Sequence, residues 1–321
     1  MSVVVTGGAG FIGSCIIETL NQEGVDDIIV VDDIGTTDKW KNLVGKTYIE
    51  YIHKDEFFSR LNDTDDINHV IHMGACSSTT EKDFDYLNKN NFEYTKSLWQ
   101  YCTKRQLCFI YASSAATYGS GEYGFSDVND INNLKPLNGY GYSKQLFDLW
   151  AQKQEKTPRQ YVGLKFFNVY GPNEYCKGPM ASVVYHGYNQ ITETGELRLY
   201  KSYNSNYVDG GQKRDFIYIR DVCKVVDFFF CNSDKSGLFN VGTGKAETFE
   251  ALGKAIFKAL GLQENIRYVE MPENIREKYQ YFTQAETGKL KETGFQGQFH
   301  SLEEGIADYV NNYLTKEFAV L

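Results

Sequence analysis

Thr6-Gly7-Gly8-Ala9-Gly10-Phe11-Ile12-Gly13 decides how this chain folds. It follows an apolar run at 3–6 and opens a segment, Phe11–Gln22, whose apolar residues recur at helical spacing. Gly8, Gly10 and Gly13 thus satisfy a GxGxxG spacing in the context that gives it meaning, a strand turning tightly into a helix. Such a turn needs residues without a Cβ so that backbone can approach an anion, and the first helical turn offers N–H groups that have no partner. A diphosphate suits that geometry. About 20 residues on, a second apolar run ends in Val31-Asp32-Asp33, where a carboxylate can accept hydrogen bonds from the ribose of a dinucleotide.

Outward from the loop, short β-branched runs alternate with amphipathic stretches. Strands are expected at 3–6, Ile28–Asp32, 70–73, 108–113 and 162–168, and helices at Phe11–Gln22, 86–105 and 140–153. With crossovers this short, the expected fold is α/β, a Rossmann-type doubly wound parallel sheet. After Tyr170-Gly171-Pro172 the pattern loosens, and apolar strands return at 216–219 and 238–241. The expected organisation is a dinucleotide-binding domain of residues 1–170 and 216–242, with a smaller, mostly C-terminal substrate-binding lobe of 171–215 and 243–321. Residues 202–211 carry no motif and read as a polar loop.

Bulk properties narrow the function classes. With 321 residues, 42% hydrophobic and 23% charged, the chain has ordinary globular composition and room for a large domain with a lobe. A formal charge of −9 argues against nucleic acid or an anionic membrane as partner, since both reward a basic face. No apolar run approaches the roughly 18 residues of a spanning helix. The first loop glycine stands at position 7, leaving no room for a signal peptide, so a cytoplasmic location is expected. Seven scattered cysteines, with no CxxC pair and no His cluster at ligand spacing, read as reduced thiols and predict no metal. Most are expected in the core, with Cys76 and Cys176 set apart because they fall in or beside motifs.

Tyr140-Gly141-Tyr142-Ser143-Lys144 carries a YxxxK pair, a weak pattern among 24 tyrosines, and Tyr161 with Lys165 repeats it. Geometry separates the two. Residues four apart lie roughly 6 Å from one another on a helix but about 13 Å apart on a strand, and Tyr161–Lys165 falls in an apolar strand. At Tyr140 a phenol with an ordinary pKa near 10 becomes a base if the Lys144 ammonium and a nicotinamide cation stabilise its phenolate. Lys144 would also hold the nicotinamide ribose. Ser114, in the strand-end segment Ala112-Ser113-Ser114-Ala115-Ala116-Thr117-Tyr118-Gly119, completes the site. The bland alternative is an exposed Tyr and Lys on an amphipathic helix.

These segments, with Phe167-Asn168-Val169-Tyr170-Gly171-Pro172, Arg214-Asp215-Phe216-Ile217-Tyr218-Ile219 and Asn240-Val241-Gly242-Thr243-Gly244, make the chain resemble the extended short-chain dehydrogenase/reductases, the nucleotide-sugar epimerases and dehydratases. Three longer segments resemble the branch that acts on nucleotide-linked heptoses: Gly74-Ala75-Cys76-Ser77-Ser78-Thr79-Thr80-Glu81, Lys177-Gly178-Pro179-Met180-Ala181-Ser182-Val183 and Tyr279-Gln280-Tyr281-Phe282-Thr283-Gln284-Ala285.

The resemblance implies a cofactor held by Gly7, Gly10, Phe11, Ile12, Gly13, Asp32, Asp33, Lys39, Lys54, Met73, Ala75, Ser77, Asn90, Tyr140, Lys144, Val169 and Lys177. It implies sugar-nucleotide contacts at Ser114, Asn168, Ser182, His186, Arg214 and Tyr279. The carrier it implies is NADP; Asp33, where a neutral Asn is common, and Asp32 would repel a 2′-phosphate and favour NAD, whereas Lys39 and Lys54 would attract one or simply be solvated. Pro179 stands where a serine is usual, and the loop 201–213 is longer than its counterpart. A homo-oligomer is implied, pentamers being known in the family.

A secondary alcohol without an acidic C–H cannot be inverted by proton abstraction, so transient oxidation at C6″ of the heptose and re-reduction on the other face is the reasonable route. The resemblance places a second acid/base at Lys177, leaving Tyr140 for one epimer and Lys177 for the other; a phosphate or carbonyl contact is the alternative for Lys177. His186 has a structural alternative, and Arg214 could instead pair with Asp215 or Asp221. Among enzymes the rivals are a UDP-hexose 4-epimerase type and a 4,6-dehydratase, the latter disfavoured because Ala115 and Ala116 occupy the positions of its Asp-Glu pair. A cofactor-binding sensor is disfavoured by the intact Ser114, Tyr140 and Lys144.

Overall fold

The computed structural model describes residues 2–61, 66–276 and 279–321. Apolar runs, buried on both faces except at the edge strand β3, form its strands: β1 is Ser2–Thr6, β2 Ile28–Asp32, β3 Glu50–His53, β4 Ile67–His72, β5 Cys108–Ser114 and β6 Gln160–Phe166. Then come β7 Asn168–Tyr170, β8 Leu197–Tyr200, β9 Lys213–Tyr218, β10 Gly237–Val241, β11 Ala246–Thr248 and β12 Ile266–Val269. The helices are α1 Phe11–Gln22, the single turn α2 Phe57–Arg60, α3 Phe84–Leu87, α4 Tyr94–Arg105, α5 Gly139–Gln152, α6 Val183–Thr194, α7 Ile219–Cys231 and α8 Phe249–Leu260.

Seven strands pair in the order β10-β6-β5-β4-β1-β2-β3, every neighbour parallel, with Val5 opposite Val30 on one side and Ile71 on the other. The two-residue period of β1 feeds two layers. Val3 and Val5 join the core formed with α1 and α7, whereas Val4 joins the core around Trp99, Phe109 and Phe147 beneath α4 and α5. The chain leaves β1 for β2 and β3 on one side and β4 on the other, so the strand order reverses between β1 and β4. In a doubly wound sheet the crevice beyond the strand ends at that point is where a ligand lies.

Several elements differ from expectation. The strand expected at 162–168 is two: β6 ends at Phe166, the Phe167 N–H donates to Val241 O at 3.0 Å, and β7 pairs instead with β9. The apolar run at 216–219 likewise belongs to β9, in a separate sheet ordered β11-β9-β7, and Ile219 already opens α7. The helix expected at 86–105 is interrupted by a π-turn, Asn88–Glu93, which seats the buried Asn91 beneath the 73–77 turn. β3 went unpredicted because only Ile52 among its four residues is buried.

The 202–211 segment is held by rings and hydrogen bonds. Tyr207 packs on Tyr281 at 5.3 Å, the Tyr203 N–H donates to Tyr281 Oη at 3.1 Å, and Arg276 lies 4.0 Å over the Tyr203 ring.

One buried carboxylate ties the small sheet to the large one. Asp215 on β9 accepts from the Thr243 N–H and hydroxyl, both at 2.7 Å, and from the Gly244 and Ala285 N–H groups, both at 2.9 Å. Thr243 and Gly244 follow β10, the edge of the large sheet. Asp215→Ala would leave those donors buried and bare, and is expected to cost at least about 3 kcal/mol; a thermal melt within a degree of wild type would contradict this role.

Candidate active site

Three contiguous hollows of about 200, 390 and 510 Å³ run along the crevice, and Ala75 lines all three. The middle one holds Gly7, Gly10, Phe11, Ile12 and Gly13. Here the N-cap of α1 is Gly10, with no side-chain cap and no acidic residue in the first turn, so its free N–H groups and partial positive charge face the hollow. A Cβ on Gly13 would lie 2.2 Å from Gly7 O, and one on Gly7, at φ 67°, would lie 2.5 Å from Gly74 N. The cradle therefore admits a diphosphate and tolerates no side chain at either position.

At the first hollow the buried Asp32 closes the second strand. Its carboxylate accepts from the Ala9 N–H at 2.9 Å, the Asp33 N–H at 2.7 Å and Lys39 Nζ at 2.7 Å. Lys39 also donates to Asp33 O at 2.6 Å. Lys54 donates to Asn90 Oδ1 at 2.9 Å and stands 3.6 Å from the half-exposed Asp33 carboxylate. All five line this hollow, which has the size and polarity of an adenosine end. The residues present fit a dinucleotide along both hollows.

Residues that sequence reasoning did not single out hold the cradle. Asn42 donates to Ala9 O at 3.0 Å and Asn173 O at 3.1 Å, and Asn173 in turn donates to Ser14 Oγ at 2.9 Å. The glycine loop is thereby tied to the turn that carries Lys177. Asn173 takes φ 74°, a conformation Asn tolerates better than most residues, and its place just after Gly171-Pro172 was the available signal. Asn91 clamps Cys76 from both sides, accepting from its N–H at 2.8 Å and donating to its carbonyl at 2.9 Å.

The third hollow brings together Met73, Ser77, Ser114, Tyr140, Lys144, Asn168, Val169, Lys177, Ser182 and Arg214. Asn138 caps α5 by accepting from the Gly141 N–H at 2.8 Å, which starts the helix one turn before Lys144. Gly141 lets that turn press on the Ser114 turn, since a Cβ there would meet Ala116 O at 2.7 Å. The Ser114 hydroxyl lies beside the Tyr140 phenol in this hollow. Burial pushes that phenol above its ordinary pKa, and the Ser114 hydroxyl pulls it back. Lys144 Nζ donates to Ala112 O at 2.8 Å; burial pushes its pKa down to about 8, with Asp148 and Cys76 opposing. The exposed-helix alternative for this pair is thus excluded.

The second YxxxK pattern is structural. Lys165 Nζ is buried in a salt bridge with Asp148 at 2.8 Å and donates to Thr117 Oγ1 at 2.7 Å, while Tyr161 packs on Trp99 at 5.0 Å. Removing one partner of such a buried pair costs about 3–5 kcal/mol.

Lys177, in the turn before α6, lies 5.5 Å over the Phe11 ring, its pKa lowered by burial and supported by nearby Glu174. Arg214 is buried between Phe249 at 5.7 Å and Tyr279 at 5.4 Å, and among the described residues no carboxylate pairs with it. Asp215 is taken by backbone, and Asp221 by Lys224 and His300, so neither ion pair weighed for Arg214 forms. Two expected contacts differ in placement. Tyr279 reaches the hollow through Arg214 and is not part of its wall, and His186 is exposed on α6 outside the lining. Ser182 caps α6 and gives its hydroxyl to Glu174 at 2.7 Å. Among the described residues, no group of three or more His, Cys, Asp or Glu could hold a metal, and no helix is long and apolar enough to cross a membrane.

Known proteins resemble this chain in sequence and fold. Residues 3–242 match the family described as NAD dependent epimerase/dehydratase. A Fusobacterium nucleatum protein named ADP-L-glycero-D-manno-heptose-6-epimerase is 49% identical over 99% of this chain and 100% of its own length. One of the same name from Nitratidesulfovibrio vulgaris is 50% identical over 97% of each chain. The crystal structure of a Helicobacter pylori protein of that name superposes with a TM-score of 0.81 at 27% identity, covering 97% of this chain and 95% of the other. A UDP-glucose 4-epimerase from Thermus thermophilus, solved in complex with NAD, superposes at 0.76 with 25% identity over 97% and 98%. With a glycine cradle at the strand-order reversal and a buried Ser114–Tyr140–Lys144 cluster beside it, the chain belongs to the NAD-dependent epimerase/dehydratase family.

Proposed function

We propose that this protein inverts C6″ of ADP-D-glycero-D-manno-heptose to give ADP-L-glycero-D-manno-heptose, by transient oxidation and re-reduction with bound NADP, as a step toward the lipopolysaccharide inner core. The observation that carries the reading is that two half-buried, proton-carrying side chains, Tyr140 on α5 and Lys177 in the turn before α6, line one chamber of about 510 Å³. An epimerase must serve two faces of one carbon, and a single base cannot easily follow both. The names of the relatives at about half identity supply the sugar.

When bound, the dinucleotide supplies a hydride acceptor and donor for C6″ and, when oxidised, a positive charge near the phenol. The chain's own groups do the rest. Tyr140 Oη would accept the C6″ hydroxyl proton as one epimer is oxidised, and Lys177 Nζ would give a proton to the ketone oxygen as the other epimer forms; the reverse conversion uses the two groups in the opposite order. Ser114 orients the Tyr140 phenol, and Lys144 holds positive charge one helical turn away. The unpaired Arg214 guanidinium is suited to the substrate diphosphate. Phe216, Phe249 and Leu252 give the chamber apolar wall. No Asp, Glu or His lines it among the described residues, which leaves elimination by a dehydratase without its carboxylates.

The choice of NADP rests on Lys39 and Lys54 in the adenosine hollow; Asp33, half exposed there, is the residue that favours NAD. The division into a cofactor part, 1–170 and 216–242, and a substrate lobe, 171–215 and 243–321, belongs to the same proposal, with β9 pairing on the lobe side. So do a cytoplasmic location and a homo-oligomer.

The experiment assays each epimer separately by NMR. Tyr140→Phe and Lys177→Met are each expected to slow proton transfer for a different epimer by about 100-fold or more. Wild-type rates in Lys177→Met would sink the two-base scheme. For Lys144, a midpoint near about 8 is expected in an NMR titration of the cofactor-free protein, the ammonium present below it and lost above. Because the folded value lies below that of a free lysine, this group makes stability rise with pH from about 8 toward the free value. A midpoint at the ordinary lysine value would contradict the buried site.

A further inference from the structure

Asp148 lies one helical turn beyond Lys144 on α5, and its side chain is fully buried. Three groups from the sheet converge on its carboxylate. Tyr111 Oη donates at 3.1 Å, Ser113 Oγ at 2.7 Å and Lys165 Nζ at 2.8 Å. Lys165 continues to Thr117 Oγ1 at 2.7 Å and lies 5.2 Å over the Tyr118 ring. Ser113 and Thr117 flank Ser114, so one buried carboxylate holds both ends of the turn that presents the Ser114 hydroxyl to Tyr140.

The charges around Lys144 make this arrangement matter to the chemistry. On its own helix Tyr140 and Asp148 stand one turn to either side of it; the charges of Asp148, of Cys76 in the 73–77 turn and of His72 on β4 act with it. β5 and β6 add Tyr111 and Lys165 on the far side of Asp148. His72 is held neutral by burial and by Lys144 itself. Asp148 is thus paired directly with Lys165 and lies one helical turn from Lys144, whose charge it favours.

We propose that Asp148, locked in place by Lys165, is a positioning residue for the reaction: it clamps the Ser114 turn to the helix that carries Tyr140 and Lys144 and supplies the buried counter-charge of Lys144. This rests on the reading of Tyr140 and Lys144 given above. Lys165 in turn draws part of that counter-charge to itself, so the two partners act on Lys144 in opposite directions.

The test is the pH profile of ADP-heptose epimerisation for wild type, Lys165→Met, and the Asp148→Asn/Lys165→Met double variant, which removes both partners of the buried salt bridge. Lys165→Met is expected to move the alkaline limb to higher pH. The double variant is expected to move it to lower pH by about one unit and to reduce kcat about tenfold, with KM changed less than about threefold. If the double variant does not fold, the direction of the limb in Lys165→Met decides. Tyr140→Phe is assayed in parallel. Wild-type activity there would remove the reading on which the proposal stands. An inactive Tyr140→Phe beside unmoved alkaline limbs in the other variants would overturn the role of Asp148 alone.

Discussion

Backbone meets backbone where β1 and β4 end, at Gly7 and Gly74, and the site is built around that contact. A Cβ on Gly7 would lie 2.5 Å from Gly74 N, so the two strand ends can approach only with bare backbone there. The approach brings the 73–77 turn against the glycine loop and makes one wall of the crevice. The sheet supplies the rigidity, because β1 is paired on both sides and buried on both faces. The uncapped N-terminus of α1 then faces the crevice with donors the protein itself does not use.

From that contact the site is assembled by buried polar side chains. Asn91 fixes Cys76, Asn42 and Asn173 tie the cradle to the Lys177 turn, Asp148 joins the Ser114 turn to α5, and Asp215 fastens β9 to the end of β10. Each fills its hydrogen-bonding capacity with groups from elements distant in sequence. A buried network of this kind holds geometry well when complete and is costly when broken. Tyr140 and Lys177, carried by separate elements, thereby line the same hollow, which is what the proposed two-base scheme uses.

The parts legible in the sequence were those governed by local rules. Gly10 and Gly13 are bound to their positions by a turn, the β-branched runs by burial in a parallel sheet, and Tyr140 and Lys144 by the four-residue spacing of a helix. The same spacing argument separated Lys165 correctly, because a strand cannot bring it to Tyr161. What stayed hidden depends on long-range pairing. β3 has a single buried side chain, and Phe167 turns the chain from one sheet to another without any change in hydrophobicity. Tyr203 and Tyr207 sit in a segment of polar composition that is held by partners 67 or more residues away, including Glu270 and Tyr281. The roles of Asn42, Asn173 and Asp148 follow from tertiary neighbours that no local pattern announces.

The central claim is that a dinucleotide cradle and two acid/base groups act on the heptose of an ADP-sugar. The most direct measurement is incubation of the purified protein with ADP-D-glycero-D-manno-heptose, UDP-glucose and a GDP-hexose in turn, with products read by NMR and the released cofactor identified by mass. The account predicts a mixture of the two C6″ epimers from the heptose and unchanged hexoses. Conversion of a hexose with the ADP-heptose untouched would contradict it.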